Sequence, residues 1–222
     1  MRLIPILALT ILLAIPTRSN VTASQIPKRV PPAAVVAALE KAKNFKQADL
    51  YLTTTRTLIA LLPSYGKLEA PIICDIQMPK EMWWLVLVAS ECFGSDPYFV
   101  ATVLRFESDF RVGPIGHGTY VGPGGIHHMF SRKFPIHDLF GNICTVARRL
   151  AMFESKQAAL AGYNKDRSSK FYSYCRAVIG WSNRLKRSIP RPHSNEAWNA
   201  AVKLGMKYST ALEFQAATYR SR

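Results

Sequence analysis

The amino-acid sequence has few acidic residues, few alternating hydrophobic patterns and no internal repeat or heptad array. Its 14 Asp and Glu residues are outnumbered by 29 Lys and Arg residues, which gives a formal net charge of +15. Because period-two alternation is scarce, the pattern leaves room for only one small β-hairpin, near Thr119 to His127. The apolar fraction of 49% is ordinary and suffices for one principal domain with a buried core.

A long apolar run is also missing. Residues 3–15 form an apolar stretch of 13 residues, whereas a transmembrane helix needs about 20. Arg2 precedes this stretch, and the small-residue sequence Val-Thr-Ala ends at Ala23, as is typical of a signal peptide. We therefore expect residues 1–23 to be removed near Ala23, leaving a periplasmic or secreted protein without a stable transmembrane anchor. An uncleaved anchor is the alternative.

The basic excess predicts anionic partners. In a cytosolic chain it would indicate nucleic acid first, but an export signal favours partners outside the cytoplasm. These include cell-wall polymers, phospholipid headgroups or an acidic protein. No nucleic acid partner is expected.

Four cysteines form an even set, which permits two disulfides in an exported chain. They are Cys74, Cys92, Cys144 and Cys175. A helix from Pro79 to Cys92 would hold Cys74 and Cys92 too far apart for a bridge, so this pairing is the least favoured of three. Four buried free thiols are the alternative.

The helical patterns predict a mainly α-helical protein. Pro79 and Gly94 mark the start and the stop of one helix, and Asp96 followed by Pro97 begins the next. Further helices are expected at about residues 33–45, 47–62, 139–155, 156–163, 168–187 and 195–217. Between residues 112 and 125 lie six glycines and two prolines, a composition that suits a loop passing close to a ligand.

Glu107 is the strongest functional candidate. Counting back along its helix places Val100, Val103 and Leu104 on the same face, so the carboxyl group points where core side chains point. Burial raises the pKa of an acid, which suits a group that donates a proton near neutral pH. The alternative is a glutamate at a helix end that reaches water or pairs with a basic side chain.

Four sequence blocks follow one another in an order that resembles the soluble lytic transglycosylases, the goose-lysozyme-like enzymes that cleave peptidoglycan. The blocks are Glu107-Ser108-Asp109-Phe110, Gly124-Gly125-Ile126-His127-His128-Met129, Asn142-Ile143 and Ala159-Leu160-Ala161-Gly162-Tyr163-Asn164. The resemblance covers about Pro79 to Lys186. His127 and His128 stand where the family usually has methionine and glutamine.

The resemblance implies a lysozyme-like domain over residues 79–187, with helical extensions at 24–78 and 188–222. It implies cleavage of the MurNAc-GlcNAc β-1,4 bond of peptidoglycan glycan strands to a 1,6-anhydro product, with Glu107 as the general acid and base. The substrate-binding residues would be Ser108, His128, Met129, Tyr163, Asn164 and Tyr174, of which Tyr163, Asn164 and Tyr174 would line the cleft or fix the glutamate. No cofactor and no metal are implied.

The sequence also leaves other functions open. Most glycosidases use two carboxylates, but Asp109 points to a different helix face from Glu107, and Asp138 precedes a separate helix. A hydrolytic lysozyme is the nearest enzymatic alternative. Two further alternatives are a noncatalytic wall-binding or assembly protein of an envelope-spanning secretion or conjugation apparatus, and a cationic membrane-active or DNA-binding protein. Four histidines, His117, His127, His128 and His137, lie close in sequence, but their spacing does not follow a zinc pattern.

Overall fold

The structure is a computed structural model that describes residues 48–115, 119–127, 136–163, 168–191 and 195–220. The predicted signal peptide and the helix predicted at about residues 33–45 lie outside the described residues.

The described chain is mainly α-helical, as predicted. Its seven α-helices are α1 (Ala48–Leu61), α2 (Lys80–Phe93), α3 (Pro97–Ser108), α4 (Leu139–Ala151), α5 (Lys156–Tyr163), α6 (Ser169–Ser188) and α7 (Glu196–Arg220). A 3-10 helix, Pro63–Tyr65, follows α1. Helix α5 has the predicted bounds, and α4 ends four residues before the predicted residue 155.

Five two-residue strands form two small antiparallel sheets. They are β1 (Ile72–Ile73), β2 (Ile76–Gln77), β3 (Pro114–Ile115), β4 (Tyr120–Val121) and β5 (Ile126–His127). The predicted hairpin near residues 119–127 is confirmed as the β4–β5 pair, in which Tyr120 lies opposite His127. The expectation that it would be the only sheet is wrong, because β1 pairs with β2 and β3 pairs with β4.

Helix α2 forms the centre of the core. Every residue from Met82 to Ser90 is buried, as expected for a helix that is surrounded by other elements. It packs against α1, α3, α4 and α7. Leu58 of α1 and Trp198 of α7 are both buried in this core, so the two helices predicted as extensions share it.

Helix α2 ends and helix α3 begins as predicted from the sequence. Gly94 ends α2 in the left-handed conformation, with φ of 68°, and its N–H bonds to Ser90 O. Asp96 caps α3 by accepting hydrogen bonds from Tyr98 N at 3.0 Å and Phe99 N at 3.4 Å. Pro97 occupies the first helical turn, where a missing N–H costs nothing. These caps fix the direction of the helix that carries Glu107.

All four cysteines are free thiols, as in the free-thiol alternative, but Cys74 and Cys92 are only partly buried. Cys144 and Cys175 are buried. Burial raises the pKa of Cys92 to about 12, and the pKa of Cys144 is also raised, first by burial and then by the neighbouring Cys92. None of the described helices has both the length and the hydropathy required to cross a membrane.

Candidate active site

Glu107 lies in the last turn of α3, at the edge of the core. Val100, Val103 and Leu104, which share its helix face, are fully buried, and Glu107 itself is partly buried. The expected position of the carboxyl group beside the core is therefore confirmed. The position also sets its electrostatics, since the C-terminal end of a helix carries partial negative charge and disfavours a second negative charge there.

Tyr174 of α6 is the hydrogen-bond partner of this carboxyl group. Its hydroxyl donates to Glu107 Oε1 at 2.6 Å. The Tyr174 ring is held by Phe106, edge to face at 5.9 Å, and by Phe171, stacked at 6.3 Å. Burial raises the pKa of Tyr174 strongly, and the Glu107 charge and the shared hydrogen bond raise it further. Tyr174 is therefore a protonated donor at all ordinary pH values.

Two effects act in opposite directions on the pKa of Glu107. Burial raises it above the ordinary value of a glutamate, and the hydrogen bond from Tyr174 lowers it by a smaller amount. The net direction is upward. Such a carboxyl group keeps its proton to a higher pH than a surface glutamate and can donate it to a leaving group.

A glycine turn covers the other side of Glu107. Gly125 has φ of 55°, a conformation that favours glycine. A Cβ atom at this position would lie 3.2 Å from Glu107 Cβ and 3.3 Å from Glu107 Oε2. The backbone of the β4–β5 turn is thus so close to Glu107 that a side chain at position 125 would crowd the carboxyl group.

Asn142 of α4 holds this turn in place. Its side chain is fully buried, accepts a hydrogen bond from Gly124 N at 2.9 Å and donates to Val121 O at 3.0 Å and Ile136 O at 2.9 Å. One amide group therefore satisfies three backbone groups in and beside the turn. Because each bond would leave a buried polar group unpaired if it were lost, the turn is fixed relative to α4.

Ser108 holds the same turn from the side of α3. The residue is 6% exposed, and its hydroxyl lies 2.8 Å from Pro123 O and 3.2 Å from Leu104 O. The single hydroxyl hydrogen is shared between two backbone carbonyls. The structure thus places Ser108 beside Glu107 as an anchor for the loop, whereas the resemblance implies contact with a sugar.

Tyr163, at the end of α5, closes the cluster. Its hydroxyl donates to Gly124 O, and the Arg149 guanidinium lies 5.2 Å from its ring centroid. Burial raises the pKa of Tyr163, and the negative charge of Glu107 raises it further. Tyr163, Tyr174 and Glu107, which are far apart in sequence, are therefore neighbours in the fold.

Three of the residues implied by the resemblance, His128, Met129 and Asn164, lie outside the described residues. Arg105 is a neighbour that was not predicted from the sequence. It pairs with Asp109 and donates from Nε to Ile73 O at 3.0 Å, so it ties the end of α3 to the β1–β2 hairpin. The spacing of four residues between Arg105 and Asp109 is the sequence signal that indicates this pair.

Comparison of the chain with protein-family models, with curated proteins and with solved structures finds no match. The candidate site is therefore identified from the geometry of this chain alone. Among the described residues, no three His, Cys, Asp or Glu side chains form a group that could hold a metal ion.

A surface cavity of about 400 Å³ lies at the opposite end of α3 from Glu107. It is bordered by residues 94–98 and by Lys186 and Arg191. Because α3 has 12 residues, its length of about 18 Å separates this cavity from the carboxyl group. The carboxyl group with the raised pKa and the Tyr174 hydrogen bond therefore lies outside this cavity.

Proposed function

We propose that the protein is a lytic transglycosylase that cleaves the MurNAc-GlcNAc bond of peptidoglycan with Glu107 as its only catalytic acid. The observation that carries this proposal is the placement of one partly buried carboxyl group between the Tyr174 hydroxyl and the Gly125 backbone. The raised pKa of Glu107 supports a role as a proton donor near neutral pH.

The reaction needs only one carboxyl group because its nucleophile belongs to the substrate. Glu107 donates its proton to the glycosidic oxygen, and the bond between that oxygen and C1 of the muramic sugar breaks with both electrons leaving on the oxygen. The substrate acetamido group stabilises the positive charge at C1. The Glu107 carboxylate then takes the proton from the C6 hydroxyl, and O6 bonds to C1. The product is a 1,6-anhydro sugar, and no water is consumed.

The acids nearest to Glu107 in sequence have other partners. Asp109 pairs with Arg105 and lies near Arg111. Asp96, at the far end of α3, caps that helix and pairs with Lys156 at 3.0 Å. Because both carboxylates are engaged in these ion pairs and in the helix cap, a mechanism with one acid is favoured over one in which a second carboxylate activates water.

The proposal places the protein in the periplasm or outside the cell, where peptidoglycan is accessible, and the net charge of +15 favours encounter with an anionic wall. Opening the wall for an envelope-spanning secretion or conjugation apparatus is one setting in which such an enzyme would act. A noncatalytic wall-binding role and a hydrolytic lysozyme activity are the competing outcomes of the test.

The test is digestion of purified peptidoglycan sacculi, with the released fragments analysed by mass spectrometry. We expect fragments that end in 1,6-anhydro-MurNAc, each lighter by one water than the hydrolytic product. Glu107→Gln keeps an oxygen that accepts from Tyr174 but cannot donate the proton, so release should fall by at least about 100-fold. Reducing-end fragments would identify a lysozyme instead. Undiminished release by Glu107→Gln would refute the assignment of the acid.

A further inference from the structure

The β4–β5 hairpin carries an exposed aromatic side chain beside the candidate site. Among the described residues, the large apolar side chains that remain exposed are Ile72, Tyr120, Met152, Phe153, Tyr172 and Met206. Tyr120 is 45% exposed, and its ring meets His127 edge to face with centroids 5.5 Å apart. In an edge-to-face pair only one ring face is covered, so aromatic surface remains open at this position.

The two faces of the hairpin differ. Val121 and Ile126 are 6% and 7% exposed and point into the core. Since neighbouring residues of a strand point to opposite faces, Tyr120 and His127, which are cross-strand partners, share the outer face. The buried pair fixes the hairpin, and the outer pair is therefore held on a rigid support.

Covalent geometry places this aromatic pair near Glu107. A Cβ atom at Gly125 would lie 3.2 Å from Glu107 Cβ, so the backbone at Gly125 is close to Glu107. His127 follows Gly125 by two residues, and the Cα atoms of these two residues are therefore at most about 7 Å apart. Tyr120 lies directly across from His127, about 5 Å further. The pair is therefore within the span of a few sugar rings from the carboxyl group.

The chemistry of the hairpin indicates the kind of ligand. Residues 119–127 contain no Asp, Glu, Lys or Arg, although the chain as a whole is strongly basic. An anionic polymer or a lipid headgroup would find no countercharge on these residues. A sugar ring, with an apolar C–H face and polar edges, suits an uncharged aromatic surface that has a hydroxyl group and an imidazole at its rim.

We propose that Tyr120, supported by His127, is a stacking platform for a sugar ring of the glycan strand adjacent to the bond that Glu107 cleaves. The inference rests on the proposed function for its choice of substrate, but it concerns binding and does not require turnover. Tyr120 thereby determines how firmly the protein holds uncharged glycan, independently of its attraction to an anionic wall.

The test measures binding in the Glu107→Gln background, in which cleavage does not consume the ligand. The probes are purified sacculi and a neutral oligomer of N-acetylglucosamine. We expect Tyr120→Ala to weaken binding of both probes roughly five- to tenfold, and Tyr120→Trp to retain it. Tyr172→Ala is the matched control, because Tyr172 is 52% exposed but lies about 200° around α6 from Tyr174, away from Glu107.

Equal binding by the Tyr120→Ala and Tyr172→Ala variants would overturn the platform, even if the wild-type protein releases anhydro fragments. Loss of binding in Tyr120→Ala alone would support it, even if the wild-type protein cleaves nothing. A loss that appears with sacculi at low salt but not with the neutral oligomer would also overturn it, because the interaction would then be electrostatic. The two proposals can therefore fail separately.

Discussion

The pKa of Glu107 depends on two local effects, burial and a hydrogen bond, which can be separated by mutation. Burial at the end of α3 disfavours the charged carboxylate, and the hydrogen bond from the Tyr174 hydroxyl, 2.6 Å from Oε1, favours it. Burial also raises the pKa of Tyr174 itself, so the tyrosine donates and does not compete for the proton. The tyrosine thus limits how far the pKa of the glutamate rises.

Replacement of Tyr174 by phenylalanine tests this balance. The variant removes the Tyr174 hydrogen bond, which lowers the pKa of Glu107, so that pKa should rise further. A general acid works while protonated, and the alkaline limb of the pH–rate profile should therefore move to higher pH by about one unit, the worth of a hydrogen bond to a charged group. Tyr172→Phe removes an exposed hydroxyl from the same helix and should leave the limb in place. A limb that moves to lower pH would contradict the assigned direction.

At this scale helix periodicity predicted where the Glu107 side chain points, but it did not predict what the carboxyl group contacts. The apolar face shared by Val100, Val103 and Leu104 indicates where Glu107 points, because helix periodicity is local. The contact with Tyr174 joins residues 67 positions apart and depends on how α3 packs against α6. The family resemblance suggested Tyr174, whereas neither periodicity nor spacing specifies such a pair.

At the scale of elements, the backbone of the β4–β5 turn lies close to Glu107 and so affects the candidate site. Gly125 and Gly94 both have positive φ, at 55° and 68°, but only Gly125 has Glu107 within contact distance of a new Cβ. Gly125→Ala and Gly94→Ala should each lose about 1–2 kcal/mol of stability from backbone strain. Only Gly125→Ala should also lower the rate of peptidoglycan cleavage, by about tenfold, because it displaces the carboxyl group.

Thermal unfolding and fragment release, measured side by side for the two glycine variants, separate these effects. Similar losses of stability with loss of activity in Gly125→Ala alone would agree with the geometry. A Gly125→Ala variant as active as Gly94→Ala would show that the turn has no role in placing Glu107.

Asn142 makes the turn depend on α4. Replacement by alanine removes three hydrogen bonds to buried backbone groups, and we expect a loss of about 2–4 kcal/mol in the free energy of unfolding together with reduced cleavage. Thr145→Ala is the control on the same helix, since its hydroxyl bonds to Gly141 O within α4, and it should cost less than about 1 kcal/mol. Chemical denaturation measures both values, and equal losses would contradict the role of Asn142.

Helices could be predicted from the sequence more completely than strands. Asp96, Pro97 and Gly94 specify the ends of α2 and α3 by local chemistry. The β1–β2 hairpin and β3 consist of two-residue strands, which are too short to show alternation. Cys74 and Asp75 form the β1–β2 turn with positive φ values of 49° and 61°, although neither is the glycine that usually marks such a turn. Tertiary contacts such as that from Arg105 to Ile73 O determine this hairpin.

At the scale of the whole molecule, Asp138 links three helices by hydrogen bonds. From the sequence it was predicted only as the residue before a helix. Asp138 caps α4 through Gly141 N at 2.7 Å, accepts from Thr55 of α1 at 2.7 Å and accepts from Tyr208 of α7 at 2.9 Å. One buried carboxyl group thus connects helices from both ends of the described chain. These bonds cross 83 and 70 residues of sequence, which explains why a local pattern did not indicate them.

Asp138 also makes the stability of the whole fold depend on pH. Burial raises its pKa from 3.8 to about 7, against the lowering effect of its three donors. A folded-state pKa above the unfolded value means that the folded protein binds the proton more tightly, so the stabilising contribution of Asp138 is greatest below about pH 4 and is lost as the pH rises through 7. The shift corresponds to roughly 4 kcal/mol between these limits. Asp138→Asn removes the titrating group and should flatten the dependence by about this amount.

Urea denaturation of the wild-type protein and the Asp138→Asn variant at pH 4, 6 and 8 measures this difference. Asparagine keeps one acceptor but places an N–H group among three donors, so the variant should be less stable than wild type at pH 4, and the gap should narrow or reverse by pH 8. Glu107, whose pKa is also raised, contributes the same slope to both proteins and cancels in the comparison. Asp96→Asn, measured at the same pH values, gives the cost of losing a capping carboxylate. A constant gap between wild type and Asp138→Asn from pH 4 to pH 8 would show that Asp138 is ionised throughout and that its three donors outweigh its burial.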